Sequence, residues 1–259
     1  MRDHISTADS AGQPWAGRQF EATAFSDDDG SAPKLLNEAL IRFRAHEVGE
    51  SEVVDALRDS RLLIPLVASL VGVGVNDHGV TVDKSAELSI VTVAGPDGRN
   101  VLPVFSSVDA MRRWNPEARP VPADAVRVAL AAADEQTDLV VLDPTSESEF
   151  VIRRPALWAI AQSVPWTPSY KDSDVASAFS ASVASEDSVA AVQLSSGDTD
   201  AALRGPELVI ELALHPGLDQ PALDALLERL QSRWSASSII AARVDSLAVR
   251  LVPAKSARE

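Results

Sequence analysis

The chain has 259 residues, 46% of them apolar, enough to bury a core in one large domain or two smaller ones. It contains no cysteine, which excludes thiol nucleophiles, zinc–thiolate centres and disulfides. Its 23 basic residues are set against 38 acidic ones: two against six over residues 1–30, fourteen against nineteen over 31–171 and seven against thirteen over 172–259, so no part carries the basic footprint of a nucleic-acid binder.

Residues 1–30 are polar, rich in Gly and Asp and aperiodic, which predicts a disordered tail, with Trp15, Phe20 and Phe25 as candidate anchors to the body. No continuous apolar segment of a secretory signal is visible there. In the next stretch Leu35, Leu36, Ala39, Leu40 and Phe43 form one helical stripe. A second helix is predicted from Ser51, a candidate cap, with Val53, Val54 and Leu57 facing inward. Residues 62–67 read as a buried strand bent at Pro65. The longest apolar run, 62–75, is interrupted by Pro65, Ser69, Gly72 and Gly74 and falls short of the roughly 20 residues of a membrane span.

Residues 87–94 and 101–105 flank Gly95-Pro96-Asp97-Gly98, which predicts a hairpin. A short helix runs from Ser107 to Trp114 and stops at Asn115-Pro116, because the residue before proline avoids helical backbone. A further helix is predicted over 124–134, then a strand pair across a turn at Pro144, then a helix opened by Pro155. These elements make up a mixed-sheet α/β domain over 31–167, followed by a linker over 168–172.

Residues 173–253 read as an internal repeat of two helix–strand–strand units. The first pairs a helix bearing Val175, Phe179 and Val183 with strands at 188–194 and 207–214. The second pairs a helix bearing Leu223, Leu226, Leu227, Leu230 and Trp234 with strands at 238–244 and 247–252. Ser173 and Asp219 are the expected caps. The expected fold class is therefore α+β, with a smaller C-terminal module of two αββ units forming a four-stranded sheet under two helices, and a tail over 254–259.

Motifs with a mechanism are weak. Gly72-Val73-Gly74 lacks the third glycine and the capped helix of a dinucleotide cradle. Placing Gly30 at the sixth position of a calcium loop puts Phe25 and Leu36 where oxygen ligands belong. The four histidines have no metal-ligand spacing, and no serine sits in a nucleophile elbow. No cofactor or metal is expected. The distinctive composition is a concentration of Trp and Arg: Phe105, Arg112, Arg113, Trp114, Arg119, Trp158 and Trp166. Trp and Arg are favoured interface anchors, each joining contact area to a directed donor. The same residues also fit tryptophans at the ends of amphipathic helices with arginines as their solvated rims.

The run LPVFSSVDAMRRWNPEARPVP, with DLVVLDP, RRPALWAIAQSVPW and the closing SLAVRLVP, resembles the SseB-type (enhanced serine sensitivity) family in its actinobacterial form, over about residues 34–253. The resemblance implies a link to serine or sulfur-amino-acid metabolism and carries no catalytic residue or cofactor. The expectation is a non-catalytic, cytoplasmic binding or regulatory protein acting through a protein partner, with edge pairing of its C-terminal sheet as a route to a homodimer and with no nucleic acid or membrane as partner. The alternatives are a sensor of an amino acid or other small anion at the arginine-rich loop, and an enzyme with an unrecognised active site.

Overall fold

The computed structural model describes residues 28–70, 86–137 and 139–254. Residues 1–27, among them the candidate anchors Trp15, Phe20 and Phe25, the glycines at 72–74 and residues 255–259 lie outside the described residues. The fold is α+β, as the sequence predicts.

Two helices open the described chain, α1 (Lys34–Arg44) and α2 (Glu50–Arg58), followed by strand β1 (Arg61–Leu70). β1 is the centre of a three-stranded antiparallel sheet between β2 (Ala86–Ile90) and β5 (Arg119–Asp124). A second sheet has the order β3 (Val93–Ala94), β4 (Asn100–Val104), β6 (Leu139–Leu142), β7 (Phe150–Arg153), with β4 and β6 parallel and the other pairs antiparallel. The expected hairpin is β3–β4, closed at Gly95 and Gly98, while the residues before it divide, β2 leaving to pair with β1. A reciprocal pair of backbone bonds between Leu63 and Phe105 joins the two sheets.

β5 is a strand that the sequence hides behind Pro120 and Pro122. Leu63 directs its N–H and C=O toward Phe105, so its partner across β5, Pro122, occupies a position whose missing N–H faces outward. Alternation places Pro120, opposite Pro65, in the same situation. An edge strand loses no ladder bond to prolines placed this way.

Alternation along these strands fills both faces. Leu62, Ile64, Leu102, Val104, Val140, Leu142, Phe150 and Ile152 pack under α1, α2, α4 (Ala125–Asp134) and α5 (Arg154–Ala161). On the other face Leu63 and Phe105 meet α3 (Val108–Trp114), and Val101, Leu139, Val141 and Val151 meet Leu203 from the C-terminal unit.

The C-terminal unit departs from the expected four-stranded sheet. It has three strands in the order β10 (Leu247–Pro253), β9 (Leu208–Leu214), β8 (Val189–Ser196), with β8–β9 antiparallel and β9–β10 parallel. The residues expected as a strand over 238–244 are instead helix α8 (Ser238–Arg243), which follows α6 (Ser173–Val183) and α7 (Gln220–Ala236). Ile240 and Val244, both buried, share a face under a period of 2 and under the helical i, i+4 spacing alike, so alternation alone misreads them. Ser237 decides for the helix by capping the Ile240 N–H. α6 is capped by Asp172, one residue before the expected Ser173, and α7 by Asp219 as expected.

Residues 168–172, expected as a linker, are packed: Pro168 and Ser169 are buried, and the Tyr170 hydroxyl donates to Glu50. The β8–β9 connection also reaches back, Val151 N–H donating to Ala201 C=O across the outer edge of β7.

Candidate functional site

The turn after β6 is the most constrained segment of the N-terminal body. Asp143 and Thr145 both have left-handed backbone, with φ of 47° and 65°, on either side of Pro144. Non-glycine residues hold that conformation only where their surroundings impose it. Here the buried Asp143 carboxylate accepts from Ser106 N–H (2.8 Å), Ser106 Oγ (2.6 Å) and Ser148 Oγ (2.9 Å). Ser146 Oγ donates to the Asp143 carbonyl, and Glu149 accepts from Thr145 N–H at 2.6 Å.

Two helices wall this turn. α1 contributes Asn37, Leu40, Ile41 and Arg44, and α3 contributes Ala110, Arg113 and Trp114, enclosing a cleft of about 1110 Å³. Two smaller recesses continue it: one of about 470 Å³ toward Asp200 and Arg204, and one of about 290 Å³ behind Trp114 toward Val93 and Leu203. Arg44 is committed to the framework, because its guanidinium donates to the carbonyls of Asp200 (2.6 Å), Glu147 (3.3 Å) and Glu149. Arg113 and Arg204 are exposed and have no ion-pair partner among the described residues. The cleft is thus a pre-formed wall in which Asp143, Ser146, Ser148 and Arg44 are internally bonded, and it presents Trp114, Ile41, Arg113, Asn37 and Glu147 outward.

Only two of the seven residues expected to form one surface meet here. Trp114, half-buried, leans on Phe105 with ring centroids 5.3 Å apart, and Arg113 stands beside it on α3. Phe105 is a correction: it is fully buried between β1 and α3 and has no surface to offer. Arg112 is exposed on α3 but does not line the cleft, and Arg119 is exposed at the start of β5. Trp158 is 47% exposed on α5, with the Arg154 guanidinium 5.1 Å from its ring centre. Trp166 packs against the main core. The cluster disperses because these residues sit on different elements, and proximity in sequence does not survive the turns between them. Asp143 and Arg44, which build the cleft, carry no motif; the one local signal was the Asp-Pro and serine-rich turn at 143–148.

A second polar assembly joins the two units. Arg153, buried at the end of β7, donates to Asp198 (2.6 Å), Asp245 (3.1 Å), Ser246 Oγ (3.3 Å) and the Gly205 carbonyl (3.1 Å). Arg99, from β3–β4, reaches Asp245 at 3.0 Å, and Asp245 N–H donates to Glu207 at 2.5 Å. Two carboxyls in and beside this knot resist ionisation, chiefly because they are buried. Burial pushes Glu50 up to about 7, with Glu207 adding repulsion, and burial likewise raises Glu207. Burial beside Glu50 also raises Tyr170. Among the described residues no group of three His, Cys, Asp or Glu could hold a metal ion, and no helix is long and apolar enough to cross a membrane.

No curated protein and no solved structure matches the chain. Residues 36–159 match the family model described as the SseB protein N-terminal domain, a span that includes α3, the turn after β6 and Arg153 but not the C-terminal unit. Residues 36–159 thus form an SseB-type N-terminal domain, and that domain is the part that carries the cleft.

Proposed function

We propose that this protein is a non-catalytic, cytoplasmic regulatory protein that holds a protein partner in the cleft between α1, α3 and the turn after β6. The partner would belong to serine or sulfur-amino-acid metabolism, as the family resemblance implies. The observation that supports binding over chemistry is the use of the cleft's polar groups. Asp143, Ser106, Ser146, Ser148 and Arg44 bond one another or backbone and fix the shape of the wall, while the groups turned outward include Trp114, Ile41 and Arg113, with Asn37 and Glu147 at the rim. An aromatic anchor beside an arginine in a rigid recess suits an apolar side chain flanked by a carboxylate.

Arg113→Glu tests this reading. It lies on an exposed helix face, so thermal stability should hold within about 0.5 kcal/mol. Capture of a partner from native lysate should fall by about tenfold or more. Unchanged capture would remove the cleft from the reading. A second reading, a sensor of a small anion, rests on Arg113 and Arg204 lacking ion-pair partners among the described residues. It predicts a rise in melting temperature with serine or another amino acid, a rise that Arg113→Glu abolishes.

A further inference from the structure

The outer edge of β10 has a pattern that fits one occupant. β9 bonds β10 through alternate residues: Leu208 N–H donates to Ser246 C=O, and Ala254 N–H donates to Leu214 C=O. Even-numbered residues of β10 therefore turn their backbone groups toward β9. Odd-numbered residues (Leu247, Val249, Leu251 and Pro253) turn theirs outward, where no described strand pairs with them. The side chains of Leu247, Val249 and Leu251 are in register with Leu208, Ile210 and Leu212, so they lie on the face that the helices cover. The helices stop short of β10. Leu208, Ile210 and Leu212 are fully buried, while Leu247, Val249 and Leu251 are 38%, 36% and 40% exposed. An apolar edge strand of this length is a template for another strand unless something blocks it.

We infer that β10 pairs antiparallel with β10 of a second copy across a twofold axis at Val249, joining the two C-terminal sheets into one. The register follows from the residues. Centred on Val249, each outward backbone group meets another: Val249 faces its equivalent and Leu247 faces Leu251 of the other copy. The outward position of Pro253, which has no N–H, falls where the ladder ends. Arg250, the only charge in the strand, stands opposite Ala248 and keeps its own Glu211 at 3.7 Å. Shifting the centre to Arg250 would oppose two arginines and place Pro253 opposite Leu247, losing a donor; shifting it to Ala248 would leave Leu251 opposite Asp245. Charge favours the same occupant. In a chain of net charge −15, this strand carries no acid, so two copies meet here without the repulsion that most of their surface imposes.

Light scattering on the full chain over a concentration series should show a species of twice 27.5 kDa. The amides of Leu247, Val249 and Leu251 should exchange more slowly as protein concentration rises. The double variant Leu247→Lys/Leu251→Glu sets opposite charges face to face in this register and should still dimerise. Leu247→Lys/Leu251→Lys sets like charges face to face and should dimerise at least about tenfold more weakly. Circular dichroism confirms that each variant is folded. A chain that stays monomeric, concentration-independent exchange at the three amides, or equal dimerisation by the two double variants would each overturn the inference.

Discussion

Arg153 shows how far one residue can reach across this molecule. It ends a strand of the N-terminal sheet, yet its partners, Asp198 and Asp245, belong to the C-terminal unit. All three side chains are buried, so removing the guanidinium leaves Asp198 without its counter-ion and Asp245 with Arg99 alone. Arg153→Ala should lose about 3–5 kcal/mol of stability in urea unfolding. Trp158, by contrast, stood out in the sequence as much as Trp114 did, yet it is half exposed, and its truncation should be mild. Residue type announced both kinds of position; only burial separates them. The serine-rich turn around Asp143 hints at a constrained segment, but it does not mark Asp143 as the fixed point of the cleft wall, because Ser106 reaches it from the end of a different strand.

At the scale of elements, periodicity served well wherever the period was unambiguous. α1, α3, α4, α7 and the pair β6–β7 lie where spacing, caps and turn residues predict them. Two elements escaped for opposite reasons. β5 hides behind prolines that are harmless on an outward edge, and α8 reads as a strand because Ile240 within it and Val244 just after it satisfy both periods. Ala242 separates the alternatives, since a strand would place it inward with Ile240 and Val244, whereas the helix leaves it exposed. Ala242→Lys should therefore change stability by no more than about 0.5 kcal/mol, while Ile240→Ala should cost about 2–4 kcal/mol. Thermal unfolding of the two variants checks both.

The whole molecule is bound together more tightly than its sequence suggested. The β8–β9 connection, the turn at Ser169–Lys171 and the knot around Arg153 all cross between the units, and the crossing concentrates acid in low dielectric. Glu50 is the clearest consequence. Its pKa in the folded state, about 7, lies above the ordinary 4.5, so the folded state holds the proton more tightly than the unfolded chain does. Its contribution is fully present below pH 4.5, declines as pH rises toward 7 and is lost above that. Glu50→Gln should flatten the stability profile between pH 4.5 and 7 and leave the variant more stable than the parent at pH 8, by roughly 2–3 kcal/mol at most. A parent profile flat over that window would contradict this.

By itself the sequence determined the acidic, thiol-free character of the protein, most of its helices and strands, and the SseB-type character of its N-terminal domain. Those properties are local or additive: composition, spacing and caps act within a few residues of one another. The tertiary structure alone decided which of the tryptophans and arginines face a cleft and which are core, that the C-terminal sheet has three strands with an outer edge unpaired among the described residues, and that the two units share one buried ionic knot. Each of those depends on residues far apart in the chain meeting at specific distances, and no pattern along the chain encodes a distance across it.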